Sequence, residues 1–266
     1  MIGAGKIGDA VAQSLAKSEK ISKVVTTRRS GDSVKPQEKR NAKVEPLSDN
    51  RKAASISDIL VVSVKAADAK HVLGEISEFT SGKIVISLMA AISIKRLESA
   101  LPSAMVVRAM PNIAATIGEA ITAYTLGRNL TKKKDVDQVQ FVLGCFGDHI
   151  EVPESLMDAV TALSGSGPAY IAMLIEAMVS AGLKVGIPRD VAFKLATKTL
   201  TGTANLLSQN RMHPAELRDA VTTPAGTTIA GIYELEKGSL RTSMMNAVEA
   251  ATLAAEKVAK KYETEG

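Results

Sequence analysis

Residues 213–236 hold a hydroxyl-rich hinge between two helical segments, and its groups suit the binding of a small anion. The hinge reads Thr222-Thr223-Pro224-Ala225-Gly226-Thr227-Thr228, with a short helix predicted before it over 213–221 and a second helix beginning near Thr227 or Thr228. A helix start offers backbone N–H groups that lack intrahelical partners and a partial positive charge. A carboxylate docked there gains about 0.3–1 kcal/mol. Gly226 admits a ligand close to the main chain, and the Thr228 hydroxyl beside it can donate or accept a hydrogen bond. The same residues also suit a plain N-cap threonine after an interhelical turn, and the local sequence leaves both readings open.

Gly3, Gly5 and Gly8 form a GxGxxG pattern followed by helix-compatible residues 9–17. In a dinucleotide fold the first two glycines allow a tight turn and close approach of the pyrophosphate, and the third lets the helix pack on the sheet. Met1 and Ile2 alone stand before Gly3, so the strand that should precede this pattern is curtailed in this sequence: either it lies ahead of Met1, or the protein manages with little of it. The next strand, residues 23–27, ends in Arg28-Arg29-Ser30 where an NAD site would carry an acidic residue. Arginine and hydroxyl groups suit the extra phosphate of NADP, while a basic surface turn is the plainer alternative.

These groups need a scaffold, and the chain has 266 residues from which to build it. Hydrophobic residues make up 45% and aromatics only 3%, so the core is Ala, Val, Ile, Leu and Met, which suits closely packed helices. The net charge of +5 is spread along the chain without aromatic stacking residues, so it reads as a solvated surface and not as a nucleic-acid site. Cys145 is alone, no metal-ligand cluster is evident, and His71, His149 and His213 are read as structural. The start has no signal-peptide pattern, and the longest apolar run, 169–175, is too short to span a bilayer, so a soluble cytoplasmic protein is expected.

Strands are predicted at 58–64, 83–87, 105–108 and 120–124, alternating with helix-compatible segments 66–78, 93–100 and 131–143. Continuous apolar strands in this rhythm belong to an α/β sheet covered on both faces, with ligand groups at the strand ends. Those ends are Val64-Lys65-Ala66, Leu88-Met89-Ala90-Ala91 and Arg108-Ala109-Met110-Pro111-Asn112. Beyond 153 only helical patterns follow, so a Rossmann-like domain of residues 1–152 and a helical domain of residues 153–266 are expected. Ser164-Gly165-Ser166-Gly167-Pro168 opens a long helix whose polar residues Glu176, Ser180 and Lys184 form one narrow stripe. A helix apolar on its other sides calls for burial beyond what one small domain provides, hence a partner subunit.

With these residues in view, the chain resembles the pyrroline-5-carboxylate reductase family over nearly its whole length. The resemblance is carried by Asp219-Ala220-Val221-Thr222-Thr223-Pro224-Ala225-Gly226-Thr227-Thr228-Ile229, by Leu163-Ser164-Gly165-Ser166-Gly167-Pro168-Ala169-Tyr170, and by residues 108–112. Ala66 stands where the family usually has Pro, Ala225 replaces the first Gly of its Pro-Gly-Gly, and Ala220 occupies a position often held by a polar amide. β-Hydroxyacid dehydrogenases and other imine reductases share the layout, but those dehydrogenases carry a lysine early in the long helix and residues 168–177 contain none; a nonenzymatic nucleotide-binding scaffold is the alternative of another class.

The resemblance implies an NADPH-binding Rossmann domain, with NADH as the other candidate cofactor, and a helical domain that intertwines with its twin. It further implies dimers assembled into a ring, and reduction of 1-pyrroline-5-carboxylate to L-proline, the last step of proline synthesis. By position, the cofactor residues would be Ile2, Gly3, Ala4, Gly5, Lys6 and Ile7, then Arg28, Arg29, Ser30 and Asn50, then Ser63, Val64, Lys65, Ala66, Leu88, Met89 and Ala90. Substrate contacts would fall to Glu154, Ala220, Val221, Gly226, Thr227 and Thr228, with Thr228 oriented to the ring nitrogen as the catalytic candidate.

Overall fold

The structure, a computed structural model, describes residues 1–28 and 41–264. They fold as two compact units, Met1–Ser166 together with Glu249–Gly266, and Gly167–Val248. In the first unit the order is α1 (Lys6–Ala16), β1 (Val24–Thr27), β2 (Val44–Leu47), α2 (Asn50–Ile56), β3 (Ile59–Val62) and α3 (Ala69–Ile76). It continues with β4 (Ile84–Ser87), α4 (Ile94–Ala100), β5 (Met105–Met110), β6 (Ala120–Leu126), α5 (Lys133–Gly144), β7 (Gly147–Glu151) and α6 (Met157–Val160).

Strands β3, β4 and β5 are parallel neighbours, and β1 pairs in parallel with β2. Between β1 and β3 lies a two-residue stump of first strand, in which Ile2 bridges Thr27 on one side and Val62 on the other. The curtailed strand is therefore present at its last residues. β6 departs from the βαβ rhythm by running antiparallel to β5, because the connection 111–119 holds only a short 3-10 turn and no crossover helix.

Alternation along the strands sends side chains to two cores. Val61, Ile84, Ile86 and Val107 meet Val11, Leu15, Val139 and Leu143 of α1 and α5 on one face. Leu60, Val62, Val85 and Val106 meet Ala53, Leu73, Ile76 and Leu97 of α2, α3 and α4 on the other. Each fully buried Leu, Ile or Val contributes about 1.5–3 kcal/mol, which is what pins the register of the sheet and so the position of its strand ends. The first unit extends beyond residue 152: Met157 is buried with Met110 and Ala123, tying α6 to β5 and β6.

The second unit holds α7 (Gly167–Lys184), α8 (Arg189–Asn210), α9 (Pro214–Ala220), α10 (Thr227–Lys237) and the opening of α11 (Leu240–Thr264). α7 ends where Gly186 adopts φ 92, with Ile187 N–H donating to Gly182 O at 2.9 Å and Pro188 beyond. Its small core is Val179 against Ala192 and Ala196. Most of α7 is exposed, including Met173 and Leu174, and so are Phe193, Leu195 and Tyr233. One helix, Glu154–Lys184, is long and apolar enough to cross a membrane by length and composition. The uninterrupted run 169–175 understates that stretch, because flanking Ala, Gly and Ser residues extend it.

Candidate functional site

The glycine loop is held open at the strand ends by main-chain bonds. Gly3 N–H and Ala4 N–H donate to Thr27 O at 3.2 and 2.8 Å, and Ile2 N–H donates to Val61 O at 2.8 Å. Gly3 adopts φ 84, and a Cβ there would stand 2.5 Å from Val64 Cγ1, so both its conformation and its space demand glycine. A Cβ on Gly8 would overlap the Gly3 carbonyl oxygen. Gly8 thus lets α1 begin directly beneath the loop. Gly5, the N-cap of α1, has open space around it and contributes no side-chain cap. The first N–H groups of an 11-residue helix are left for a ligand.

Beside this helix start lies a pocket of about 470 Å³, within the range that takes a cofactor. Of the expected cofactor residues, Ile2, Gly3, Ala4, Gly5, Arg28, Asn50, Ser63, Val64 and Lys65 line it together. Lys6 and Ile7 form the first turn of α1, and Ala66 begins the 3-10 turn before α3. Leu88 and Met89 have their side chains in the two cores, and their N–H groups bond Val62 O and Ser87 Oγ, so only their carbonyls remain free to face a ligand. Ala90 is exposed. Arg29 and Ser30 lie outside the described residues.

The sequence reading missed Thr27, Ser48, Asp68, His71, Val72 and Glu75, which line the same pocket. Asn50 anchors this wall: it accepts from Thr27 Oγ1 at 2.6 Å and donates through Nδ2 to Glu75 Oε2 at 2.7 Å. The only hint in the sequence is the i,i+4 spacing of His71 and Glu75, which reads equally well as a solvated helix face. Arg28 stands 3.9 Å from Asp9, a buried acid on the first turn of α1. Positive φ, an uncapped helix start and an open glycine fit the pyrophosphate of a dinucleotide, with Arg28 and Lys65 as cations at the rim.

In the second unit the two helices expected on either side of the hinge are present. α9 is capped at His213, whose Nδ1 accepts from Ala215 N–H at 3.2 Å while Glu216 accepts from His213 N–H, so this histidine is structural. α10 starts at Thr227 with Gly226 as N-cap and no side-chain cap. Within the hinge Ala225 has a left-handed backbone, at φ 56. Gly226 itself has φ −78, and a Cβ there would overlap the Thr223 hydroxyl oxygen. Its lack of a side chain therefore serves its own turn as much as any ligand. Thr228 and Gly226 are half-buried, while Thr227, Ala220 and Val221 are exposed.

Glu154 sits in the first unit, where its Oε1 accepts from Ile94 N–H at 2.7 Å and from Arg108 Nη1 at 3.2 Å. Arg108, expected as the last residue of its strand and the first of the loop after it, is inside β5, which runs on to Met110; it is 5% exposed, with Nη2 held by Asp158 at 3.2 Å. Burial pushes the Cys145 thiol up, partly offset by a hydrogen bond from Ser18, which makes it a poor nucleophile. Among the described residues no cluster of His, Cys, Asp or Glu could hold a metal ion.

Residues 154–258 match the family model described as pyrroline-5-carboxylate reductase dimerisation, and residues 1–91 match that of NADP oxidoreductase, coenzyme F420-dependent. The chain is 41% identical to the pyrroline-5-carboxylate reductase of Methanosarcina acetivorans, covering 98% of this chain and 97% of the relative. It is 40% identical to that of Synechocystis sp. over 80% of this chain and 79% of the relative. Its fold is similar to the crystal structure of Plasmodium falciparum pyrroline carboxylate reductase with NADP bound, at 31% identity and TM-score 0.86, covering 97% of this chain and 96% of that one. With that degree of identity along nearly all of its length, the chain belongs to the pyrroline-5-carboxylate reductase family.

Proposed function

We propose that this chain reduces 1-pyrroline-5-carboxylate to L-proline with NADPH, the glycine loop and α1 holding the dinucleotide and the start of α10 holding the imino acid. The observation that carries the reading is the 41% identity to a named reductase across 98% of the chain, which spans both ligand sites. When bound, the reduced nicotinamide supplies a hydride to the imine carbon, while a proton from solvent goes to the ring nitrogen. The chain's own residues then have placement as their task. The free N–H groups of Thr227 and Thr228 take the substrate carboxylate, and Gly226 leaves them uncapped. The Thr228 hydroxyl orients the ring nitrogen, a role that suits a group too weakly acidic to give up its proton.

Glu154, Ala220 and Val221 complete the proposed substrate contacts, Glu154 through the carboxylate oxygen that Ile94 and Arg108 leave free. Leu88, Met89 and Ala90 offer main-chain carbonyls to the cofactor, and Arg28, Arg29 and Ser30 its 2′-phosphate contacts, so NADPH is taken ahead of NADH. A second copy of the chain covers the apolar faces of α7, α8 and α10, as the dimerisation model over residues 154–258 supports. We place the dimers in a ring, in the cytoplasm, with Glu154–Lys184 covered by protein and not by lipid, and with no nucleic-acid partner. Glu176 and Lys184 on α7 favour a protein cover, since charges facing lipid are costly.

The test is NADPH oxidation by the purified chain on addition of 1-pyrroline-5-carboxylate, with proline identified as product. Thr228→Ala should lower kcat/KM at least about tenfold while NADPH affinity stays as it was. A protein that binds NADPH but leaves this imine unreduced would refute the assignment, and an unchanged Thr228→Ala would remove the role given to its hydroxyl.

A further inference from the structure

We propose that Glu75 is a positioning residue for the cofactor, fixing which edge of the Asn50 side-chain amide faces the dinucleotide pocket. The proposal rests on the reading that this pocket takes NADPH. α3 buries Val72, Leu73 and Ile76 and turns His71 and Glu75 to the pocket wall. Thr27, the 2% exposed last residue of β1, donates its hydroxyl to Asn50 Oδ1 at 2.6 Å. Asn50 Nδ2 donates to Glu75 Oε2 at 2.7 Å, and His71 Nε2 stands 3.1 Å from Glu75 Oε1. Both carboxylate oxygens are thereby engaged.

The chemistry of the three groups decides the orientation. A threonine hydroxyl can donate or accept, so Thr27 would tolerate either edge of the amide. An ionised carboxylate only accepts, and a reversed Asn50 would set two oxygens against each other at 2.7 Å. Glu75 therefore selects the nitrogen edge. Asn50 is left with one N–H on Nδ2 not used by Glu75, a donor for the hydroxyl or phosphate oxygens that a nucleotide carries. Without Glu75 the amide can turn over and present an acceptor to groups that need a donor.

The sign of one substitution separates positioning from mere proximity. A carboxylate that only stood beside a phosphate-binding pocket would repel its ligand, so Glu75→Ala would tighten NADPH binding. Positioning demands the reverse. Glu75→Ala should weaken NADPH binding about tenfold, the loss expected for one hydrogen bond involving a charged group, with kcat unchanged at saturating cofactor. Glu75→Gln can donate as well as accept, so it no longer selects the edge of the amide and should weaken binding in the same direction as Glu75→Ala, though by less. In an Asn50→Ala background, Glu75→Ala should cost nothing further.

The experiment is NADPH titration of the full chain and its four variants by fluorescence, with circular dichroism showing that each is folded. Weakened binding by Glu75→Ala, a smaller loss in the same direction by Glu75→Gln and a non-additive double variant support the proposal. Unchanged or tighter binding by Glu75→Ala, or losses that add in the double variant, overturn it. A parent chain that bound no NADPH would sink the cofactor reading and this proposal with it, whereas a parent that binds while Glu75→Ala makes no difference sinks this proposal alone.

Discussion

The amino terminus gives the most quantitative prediction. Met1 is 7% exposed and its α-amino nitrogen donates to Val25 O at 2.7 Å inside the sheet. Burial pulls that group down from its ordinary value of 8.0 to about 5. For a chain that begins at Met1, the folded state holds a neutral amine across the window in which the unfolded state takes up a proton. Between about pH 5 and 8 the unfolded chain binds more protons, so stability rises with pH through that window. The contribution is complete above pH 8 and gone by pH 5, below which both states are protonated. A difference of about three pKa units at 1.36 kcal/mol each gives about 4 kcal/mol, a large share of the 5–15 kcal/mol that holds a typical domain together.

Acetylating the amino terminus removes the titration and keeps an N–H for Val25 O. Urea unfolding followed by circular dichroism, at fixed protein concentration because association also stabilises, should be run from pH 5 to 8 on both forms. Contributions common to the two forms cancel in the difference. That difference should fall with a slope approaching 1.4 kcal/mol per pH unit as the pH is lowered. Parallel stability curves for the free and acetylated chains would refute the reasoning, for they would mean that the amine reaches water in the folded state.

Three substitutions follow from local geometry. Gly8→Ala drives a Cβ into the Gly3 carbonyl oxygen, so it should displace the glycine loop and weaken NADPH binding about tenfold or more, with about 1–3 kcal/mol lost from stability; unaltered affinity would show that the loop does not contact the cofactor. Ala225→Gly relieves a left-handed alanine at φ 56 and should raise stability by about 1 kcal/mol in urea titration, and a fall would mean that the turn's rigidity outweighs its strain. Arg108→Met strips the cation from Glu154 and Asp158, and because both acids keep some solvent the cost should be near the lower end for a broken ion pair, about 3 kcal/mol, with a lowered Tm as readout. No change in Tm would mean that the pair contributes nothing net.

What the sequence made legible and what it hid have physical reasons. β3, β4 and β5 are covered on both faces, so they are written as continuous apolar runs and their positions could be read directly. β2 and β7 stand at the sheet edges, where one is Val-Glu-Pro-Leu and the other Gly-Asp-His-Ile-Glu, and neither carries an apolar pattern. α2 buries little more than Ala53 and Ala54, and its only plain signal is Asp49, which caps it by accepting from Arg51 N–H at 2.8 Å. The glycine loop and the proposed 226–228 cradle would bind through main chain, and main-chain sites leave glycines and hydroxyls in fixed order. Glu75 and His71 were hidden because a pocket wall built from the outer face of a helix has the composition of a solvated surface.

The bonds around the glycine loop show what places it, and they involve the residues just before Gly3 and just after it. Thr27 N–H donates to Met1 O, Ser63 N–H donates to Ile2 O, Ile2 N–H donates to Val61 O, and Gly3 and Ala4 donate to Thr27 O. Ile2 is 1% exposed, so its side chain is locked in the core beneath the loop. Together these fix the direction in which the chain leaves the sheet, and Gly3 then turns at φ 84 against Val64. Strand length mainly governs how much stability the sheet gains. Loop geometry depends instead on the pairing of the strand's final residues with both neighbours, here Ile2 with Thr27 and Val62.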